Sequence, residues 1–102
     1  MRQFDVFDNP SDFSRHYAPH LVVLQSHHLH LIDTVIVAPL VLDAARPLGL
    51  IDVSVELNGR RVIVAVSELA NMARSLLKTP VANLAPWEDD LRRALDRLFT
   101  GF

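Results

Sequence analysis

Histidines provide the first candidates for chemistry, and all five lie between residues 16 and 30, at His16, His20, His27, His28 and His30. On a strand, His28 and His30 would share one face, because alternate side chains point to the same side. Three imidazoles with a water in the fourth position would suit a catalytic zinc ion. The spacing matches no metal motif, such as two His four residues apart on a helix with a Glu between them. We therefore interpret the group as a polar segment and predict no metal site.

Acid–base chemistry without a metal is the second candidate. Cleavage of RNA needs only an acid, a base and a cation beside a phosphate. Groups of these types are supplied by Arg2, His28, Asp52, Arg60 and Arg61. No serine lies in a Gly-x-Ser-x-Gly elbow, and three glycines are too few for a phosphate-binding loop. The residues alone favour a protein that is not an enzyme, and a ribonuclease stays open as an alternative.

Composition places the chain among small folded domains without excess positive charge. It has 102 residues, 50% of them hydrophobic, with 10 Lys and Arg against 12 Asp and Glu and a net charge of −2. The length predicts a single domain over residues 1–102. So much apolar surface on a small chain predicts a covered interface, which a homodimer would supply. The charge predicts no direct binding of nucleic acid.

Cysteine is absent, which excludes disulfides, thiolate zinc sites and thiol nucleophiles. The opening segment MRQFDVFDNP carries charges where a signal peptide needs an apolar core. The longest apolar runs are also too short to span a bilayer. We therefore expect a soluble cytoplasmic protein that needs no cofactor and contacts no membrane.

Alternating and β-branched segments predict the strands that must position any site. QFDVFD places apolar Phe4 and Val6 on one face and acidic residues on the other, which is typical of a half-buried strand. A second strand is predicted from Leu21, and a third over residues 34–41. Pro39 predicts an edge or a bulge in the third strand, because proline cannot donate to a ladder.

Asn58 and Gly59 separate two further apolar segments, LIDVSVEL and RRVIVAV. Both turn positions of a two-residue hairpin need positive φ, which these two residue types adopt readily. The pattern therefore predicts a hairpin of two more strands, with Val53 and Val55 on the inner face. Residues 68–79 fit either a helix or an irregular segment with a short strand.

The last segment predicts an amphipathic helix that starts near Pro86, where the missing N–H would have no partner. Its apolar stripe is formed by Trp87, Leu91, Ala94, Leu95 and Leu98. We expect Phe99 to join the core and Gly101 to end the helix with a positive φ. Phe102 would either fold back onto the sheet or anchor a partner.

Together these elements predict a mainly β protein of the α+β class. Its architecture would be a small barrel or rolled antiparallel sheet of five or more strands with one C-terminal helix packed on it. Three segments sharpen that prediction: the start QFDVF, the middle LQS followed by the apolar strand VAPL, and the end DLRRALDRLFTGF. In these segments the chain resembles the CcdB family of plasmid toxins.

The resemblance implies an SH3-like barrel, a homodimer and the toxin of a type II toxin–antitoxin module that serves plasmid maintenance. Such toxins are not enzymes. They inhibit DNA gyrase by binding its A subunit and trapping the cleaved DNA complex, and a cognate CcdA-like antitoxin removes them. The resemblance therefore implies gyrase and the antitoxin as partners, and no metal or other cofactor.

The resemblance also implies a gyrase-binding surface built from the first strand, the end of the second strand and the end of the helix. At the matching positions this chain has Gln3, Phe4, Phe7, Ser26, His28, Leu29, Asp96, Thr100, Gly101 and Phe102. The family pattern has a tryptophan where this chain has Thr100, and an aromatic side chain buries on the order of 150–250 Å². Two alternatives therefore stay open: a MazF-like ribonuclease toxin, and a non-toxic antitoxin-binding homologue with another target.

Overall fold

The chain folds into a curled antiparallel sheet with one helix lying against it. A computed structural model describes residues 1–42 and 49–101. Its elements are β1 (Asp5–Asp8), β2 (His20–Val23), β3 (Thr34–Leu42), β4 (Asp52–Leu57), β5 (Arg60–Ala65), β6 (Ala70–Ala73), β7 (Ala82–Asn83) and α1 (Glu88–Thr100). The strand order is β4-β5-β3-β2-β1-β7, with β6 also paired to β3. The predicted α+β class is confirmed, and the sheet forms a half-barrel.

β3 is a central strand, so the prediction of an edge at Pro39 is wrong. One of its edges pairs with β2. The other is shared, because β6 pairs as far as Val37 and β5 pairs from Leu40 onwards. The Ile36 carbonyl accepts a hydrogen bond from Leu24 on the β2 side, so alternation turns the backbone of Pro39 to the shared edge. Pro39 therefore lies where β6 gives way to β5, and its missing N–H interrupts neither pairing.

β1 is buried on both faces, whereas its alternating sequence predicts a half-buried strand. Phe4 lies in the apolar cluster beneath α1, and Phe7 lies in a second cluster on the opposite face of the sheet. Asp5 is only 7% exposed. Its carboxylate accepts hydrogen bonds from the Arg2 N–H at 2.8 Å and from Asn83 Nδ2 at 2.9 Å. The acidic side chain is thus satisfied inside the protein instead of facing water.

The β4–β5 hairpin is confirmed. Asn58 has φ 53° and Gly59 has φ 80°, as a two-residue turn with positive φ at both positions requires. Val53 and Val55 are buried while Glu56 is exposed, so the predicted inner face is also confirmed.

Replacing Asn58 with alanine should lower the free energy of unfolding by about 1 kcal/mol. The left-handed conformation costs an ordinary residue about 1–2 kcal/mol, and asparagine tolerates it better. Urea unfolding measures the change, with Asn58→Gly as the matched control, since glycine adopts this φ at no steric cost. An alanine variant as stable as the glycine variant would contradict the argument.

Residues 68–79 adopt the second of their two predicted alternatives, an irregular segment with a short strand. Two short 3₁₀ helices, Val66–Glu68 and Arg74–Leu76, flank β6. β6 pairs with the first half of β3, with Ala73 opposite Thr34. This pairing brings Arg74 beside the loop that leads into β3.

α1 packs against the sheet through the predicted stripe. Leu91 and Ala94 are buried in the main cluster, and the other stripe members pack against its rim, at Trp87, Leu95 and Leu98. Phe99 is 70% exposed, so its predicted place in the core is wrong. At about 100° per residue, Phe99 lies about 80° around the helix from Leu91, on the same side as the polar Arg92 two turns earlier. Within the described part of the chain, no helix has the length and apolar character to cross a membrane.

Candidate protein-binding surface

The predicted site residues divide into a buried pair and an exposed group. Phe4 and Phe7 are 3% and 2% exposed, so in this conformation their side chains support β1 and are not offered to a partner. The remaining described members lie at least partly at the surface, at Gln3, Ser26, His28, Leu29, Asp96, Thr100 and Gly101. Phe102 lies outside the described residues.

Gln3 connects the start of β1 to β2 and α1. Its side-chain Nε2 donates to the Leu24 carbonyl at 2.9 Å. Its Oε1 accepts a hydrogen bond from Arg92 Nη2 at 3.5 Å, and Arg92 also donates to Glu88 through Nε at 2.8 Å. Both ends of the Gln3 amide are therefore used, and the side chain is held between two elements.

Phe4 carries backbone strain directly beside this surface. Its φ of 71° is in the left-handed region, which costs a residue with a β-carbon about 1–2 kcal/mol. Its N–H donates to the Val23 carbonyl at 2.7 Å, and its carbonyl accepts from the Leu84 N–H at 2.9 Å. The Arg92 guanidinium lies 5.9 Å from the ring centroid. Neighbouring strands and the helix thus hold a turn that the residue would not adopt alone.

Residues 26–33 form a loop whose first part is a short 3₁₀ helix, His27–Leu29. Ser26 begins it, because its Oγ accepts from the His28 N–H at 3.2 Å. The His27 and His28 ring centroids are 4.5 Å apart, and Leu29 is 47% exposed. Since this segment is not a strand, His28 and His30 do not share a strand face. Among the described residues, no three His, Cys, Asp or Glu side chains gather as metal ligands would.

The end of α1 is closed by local hydrogen bonds. Thr100 Oγ1 donates to the Asp96 carbonyl at 2.6 Å. Gly101 has φ 80° and donates its N–H to the Arg97 carbonyl, which confirms the predicted helix end. A β-carbon at Gly101 would meet no atom within 4 Å, so backbone conformation, not space, accounts for the glycine. Arg97 Nη1 donates to the Leu50 carbonyl at 3.2 Å and ties this last turn to the segment before β4.

Gln3, the 3₁₀ turn and the start of α1 border one cleft. A cleft of about 560 Å³ is lined by the start of β1, the 26–33 loop and the first half of α1, including Gln3, His27 and Arg92. Helical periodicity carries the same side of α1 on to Asp96 and Phe99, three or four residues apart along the helix. We name the exposed set Gln3, the 26–29 turn, Arg92, Asp96, Phe99, Thr100 and Gly101 the tip surface.

Sequence reasoning missed Arg92, His27 and Phe99 as members of the tip surface. The contact between Arg92 and Gln3 joins residues 89 positions apart, so no local sequence pattern could predict it. The exposed position of Phe99 could have been predicted, because helical periodicity places it on the same side of α1 as the polar Arg92.

The groups proposed for metal-free RNA cleavage do not gather in the described structure. Arg60 and Arg61 lie at the hairpin end of β5, and Arg61 pairs with Glu56. Asp52 lies four residues from Glu56 along β4, which is about 13 Å of strand. His28 belongs to the loop beside α1. Asp52 and the Arg60–Arg61 pair therefore lie at opposite ends of one hairpin, too far apart to act together on one phosphate.

A curled antiparallel sheet with one C-terminal helix packed on it defines a small protein of the α+β class. The family model described as CcdB protein matches residues 3–101 of the 102-residue chain. The chain therefore belongs to the CcdB family, as its sequence predicts, and it is the toxin of a toxin–antitoxin module. A comparison with curated proteins finds no significant match.

Proposed function

We propose that this toxin inhibits DNA gyrase by binding the A subunit through the tip surface and trapping the cleaved DNA complex. The observation that carries the proposal is the arrangement of the exposed site residues. The start of β1, His27 of the 26–29 turn and the first two turns of α1 border one cleft, although they are far apart in the chain. Asp96 and Phe99 continue the side of α1 on which Arg92 lies. Membership of the CcdB family supports the same target.

Poisoning of this kind requires binding and no catalysis. Gyrase passes between states in which its DNA is cleaved and resealed. A protein that binds the cleaved state more tightly than the resealed state shifts the equilibrium by its difference in affinity. The rigid attachments of Gln3 and of the last helical turn favour tight binding, because a preorganised surface loses little entropy when it binds.

We also propose that the toxin acts as a homodimer and that a CcdA-like antitoxin binds it. The support for a dimer is the number of large apolar side chains left in water. Among the described residues outside the tip surface, these include Leu31, Ile32, Leu76 and Val81, at 87%, 46%, 50% and 45% exposed. A two-fold interface would cover part of this area and present the tip surface twice.

The proposed function is tested by measuring the affinity of the purified full-length protein for the gyrase A subunit and the yield of cleaved DNA. Wild-type protein should bind and raise the cleaved fraction. Thr100→Trp should bind about tenfold more tightly, because it adds aromatic area at an exposed position of the tip surface. Thr79→Trp is the matched control, since Thr79 is an exposed threonine of a different segment.

The control variant should bind like the wild-type protein. Failure of both the wild-type protein and Thr100→Trp to bind the A subunit would overturn the proposal. Equal gains from both tryptophan variants would show that added hydrophobicity, not the tip surface, controls the affinity.

A further inference from the structure

We propose that Arg74 is a positioning residue that holds the 26–33 loop in its binding shape without touching the target. This inference rests on the proposed function, because it assigns a role toward the same surface. Arg74 lies outside the predicted site, directly after β6. The backbone of Arg74 is held in place, because its N–H donates to the Asp33 carbonyl at 2.9 Å and the preceding strand, β6, is paired with β3.

The Arg74 guanidinium meets three acceptors. Nε donates to the Ile32 carbonyl at 3.0 Å and Nη2 donates to the Leu29 carbonyl at 3.3 Å. Nη1 lies 3.1 Å from the sulfur of Met1. The two carbonyls belong to the loop that carries Ser26, His28 and Leu29 of the tip surface, and Met1 lies two residues before Gln3. One side chain therefore ties together two of the three segments that form the surface.

Arginine suits this role better than lysine. Its planar group offers five donors in fixed directions, whereas an ammonium is a single flexible centre. The Leu29 carbonyl also accepts a hydrogen bond from the Ile32 N–H at 3.2 Å. Arg74 thus reinforces a loop that is otherwise closed by weak local turns, and hydrogen bonds from a charged donor are about twice as strong as neutral ones.

The distinguishing feature of a positioning residue is that its effect passes through another residue. Arg74→Lys should raise amide hydrogen exchange at Leu29 and Ile32 and weaken gyrase binding about tenfold, the size expected for loss of one charge-assisted hydrogen bond. The urea midpoint should stay close to that of the wild-type protein. In a Leu29→Ala background, the same substitution should weaken binding less than tenfold, because one of the side chains that the loop presents is already removed.

Arg15→Lys is the matched control. Arg15 also donates to a loop carbonyl, that of Pro10 at 3.2 Å, and pairs with Asp12 at 2.9 Å. Its loop lies on another part of the molecule, so its replacement should change neither exchange in residues 26–33 nor gyrase affinity. An equal effect from Arg15→Lys would overturn the assignment to Arg74.

Two further outcomes would overturn the inference. Unchanged exchange at Leu29 and Ile32 in both Arg74→Lys and Arg74→Ala would show that Arg74 does not hold the loop. A tenfold loss of binding in Arg74→Lys without any change in exchange at Leu29 and Ile32 would show that Arg74 contacts the target itself. If the wild-type protein does not bind gyrase, the proposed function fails, and the exchange measurement alone decides whether Arg74 fixes the loop.

Discussion

Replacing Leu91 with alanine should lower the free energy of unfolding by about 4 kcal/mol. Leu91 is fully buried in the cluster between α1 and the sheet, and leucine-to-alanine changes in such sites cost about 2–5 kcal/mol. Alanine is a better helix former than leucine, so a loss of stability in this variant comes from lost packing and not from lower helix propensity. A domain of this size has a total stability of about 5–15 kcal/mol. The substitution should therefore remove a large part of what holds α1 against the sheet.

Urea unfolding monitored by circular dichroism measures this loss. Leu50→Ala is the matched control, because Leu50 is 87% exposed and surface substitutions change stability by less than about 0.5 kcal/mol. A Leu91→Ala variant no less stable than the Leu50→Ala variant would mean that α1 does not depend on this contact.

Replacing Phe99 with alanine should weaken binding to the gyrase A subunit on the order of 100-fold and leave the fold intact. Phe99 is 70% exposed and lies on the same side of α1 as Arg92, two turns further along. An exposed aromatic residue in the centre of an interface is a common hot spot, worth about 2–4 kcal/mol on truncation. Since Thr100 stands where the family pattern has a tryptophan, Phe99 is the aromatic group available at the described end of α1.

Binding of the purified protein to the A subunit measures this effect, with unfolding measured in parallel. Phe13→Ala is the matched control, since Phe13 is a phenylalanine 90% exposed in the segment between β1 and β2. It should bind like the wild-type protein. Equal affinities for the Phe99→Ala and Phe13→Ala variants would remove Phe99 from the proposed interface.

Local chemistry explains why much of this fold could be predicted. The Asn58–Gly59 turn and the Gly101 helix end depend on the φ angles that these residues adopt, so neighbouring residues are sufficient. The stripe of α1 likewise follows from a period of 3.6 residues. The place of Pro39 could not be predicted, because it depends on how β5 and β6 share one edge of β3, and both strands lie far away in the chain.

The sequence could predict which segments form the candidate site, but not the side-chain contacts that join those segments. A resemblance that runs over essentially the whole chain indicated the start of β1, the 26–29 turn and the helix end. Burial of Phe4 and Phe7 depends on layers covering both faces of β1, which alternation within one strand cannot reveal. The contacts of Arg92 with Gln3 and of Arg74 with Leu29 join residues 89 and 45 positions apart. Only the folded chain brings these groups together.

The hydrogen bond from Thr100 to the Asp96 carbonyl has a consequence for target tolerance. A threonine hydroxyl has one proton to donate, and here it is committed inside the helix. The side chain therefore offers a target its methyl group and lone pairs, and Gly101 adds no side chain. Sites that rely on shape distinguish similar ligands by only about 10- to 200-fold, far less than sites that demand a hydrogen bond. In the proposed mode of binding, removing a hydrogen-bond acceptor opposite Thr100 would therefore give a host little resistance, whereas a change of shape there would give more.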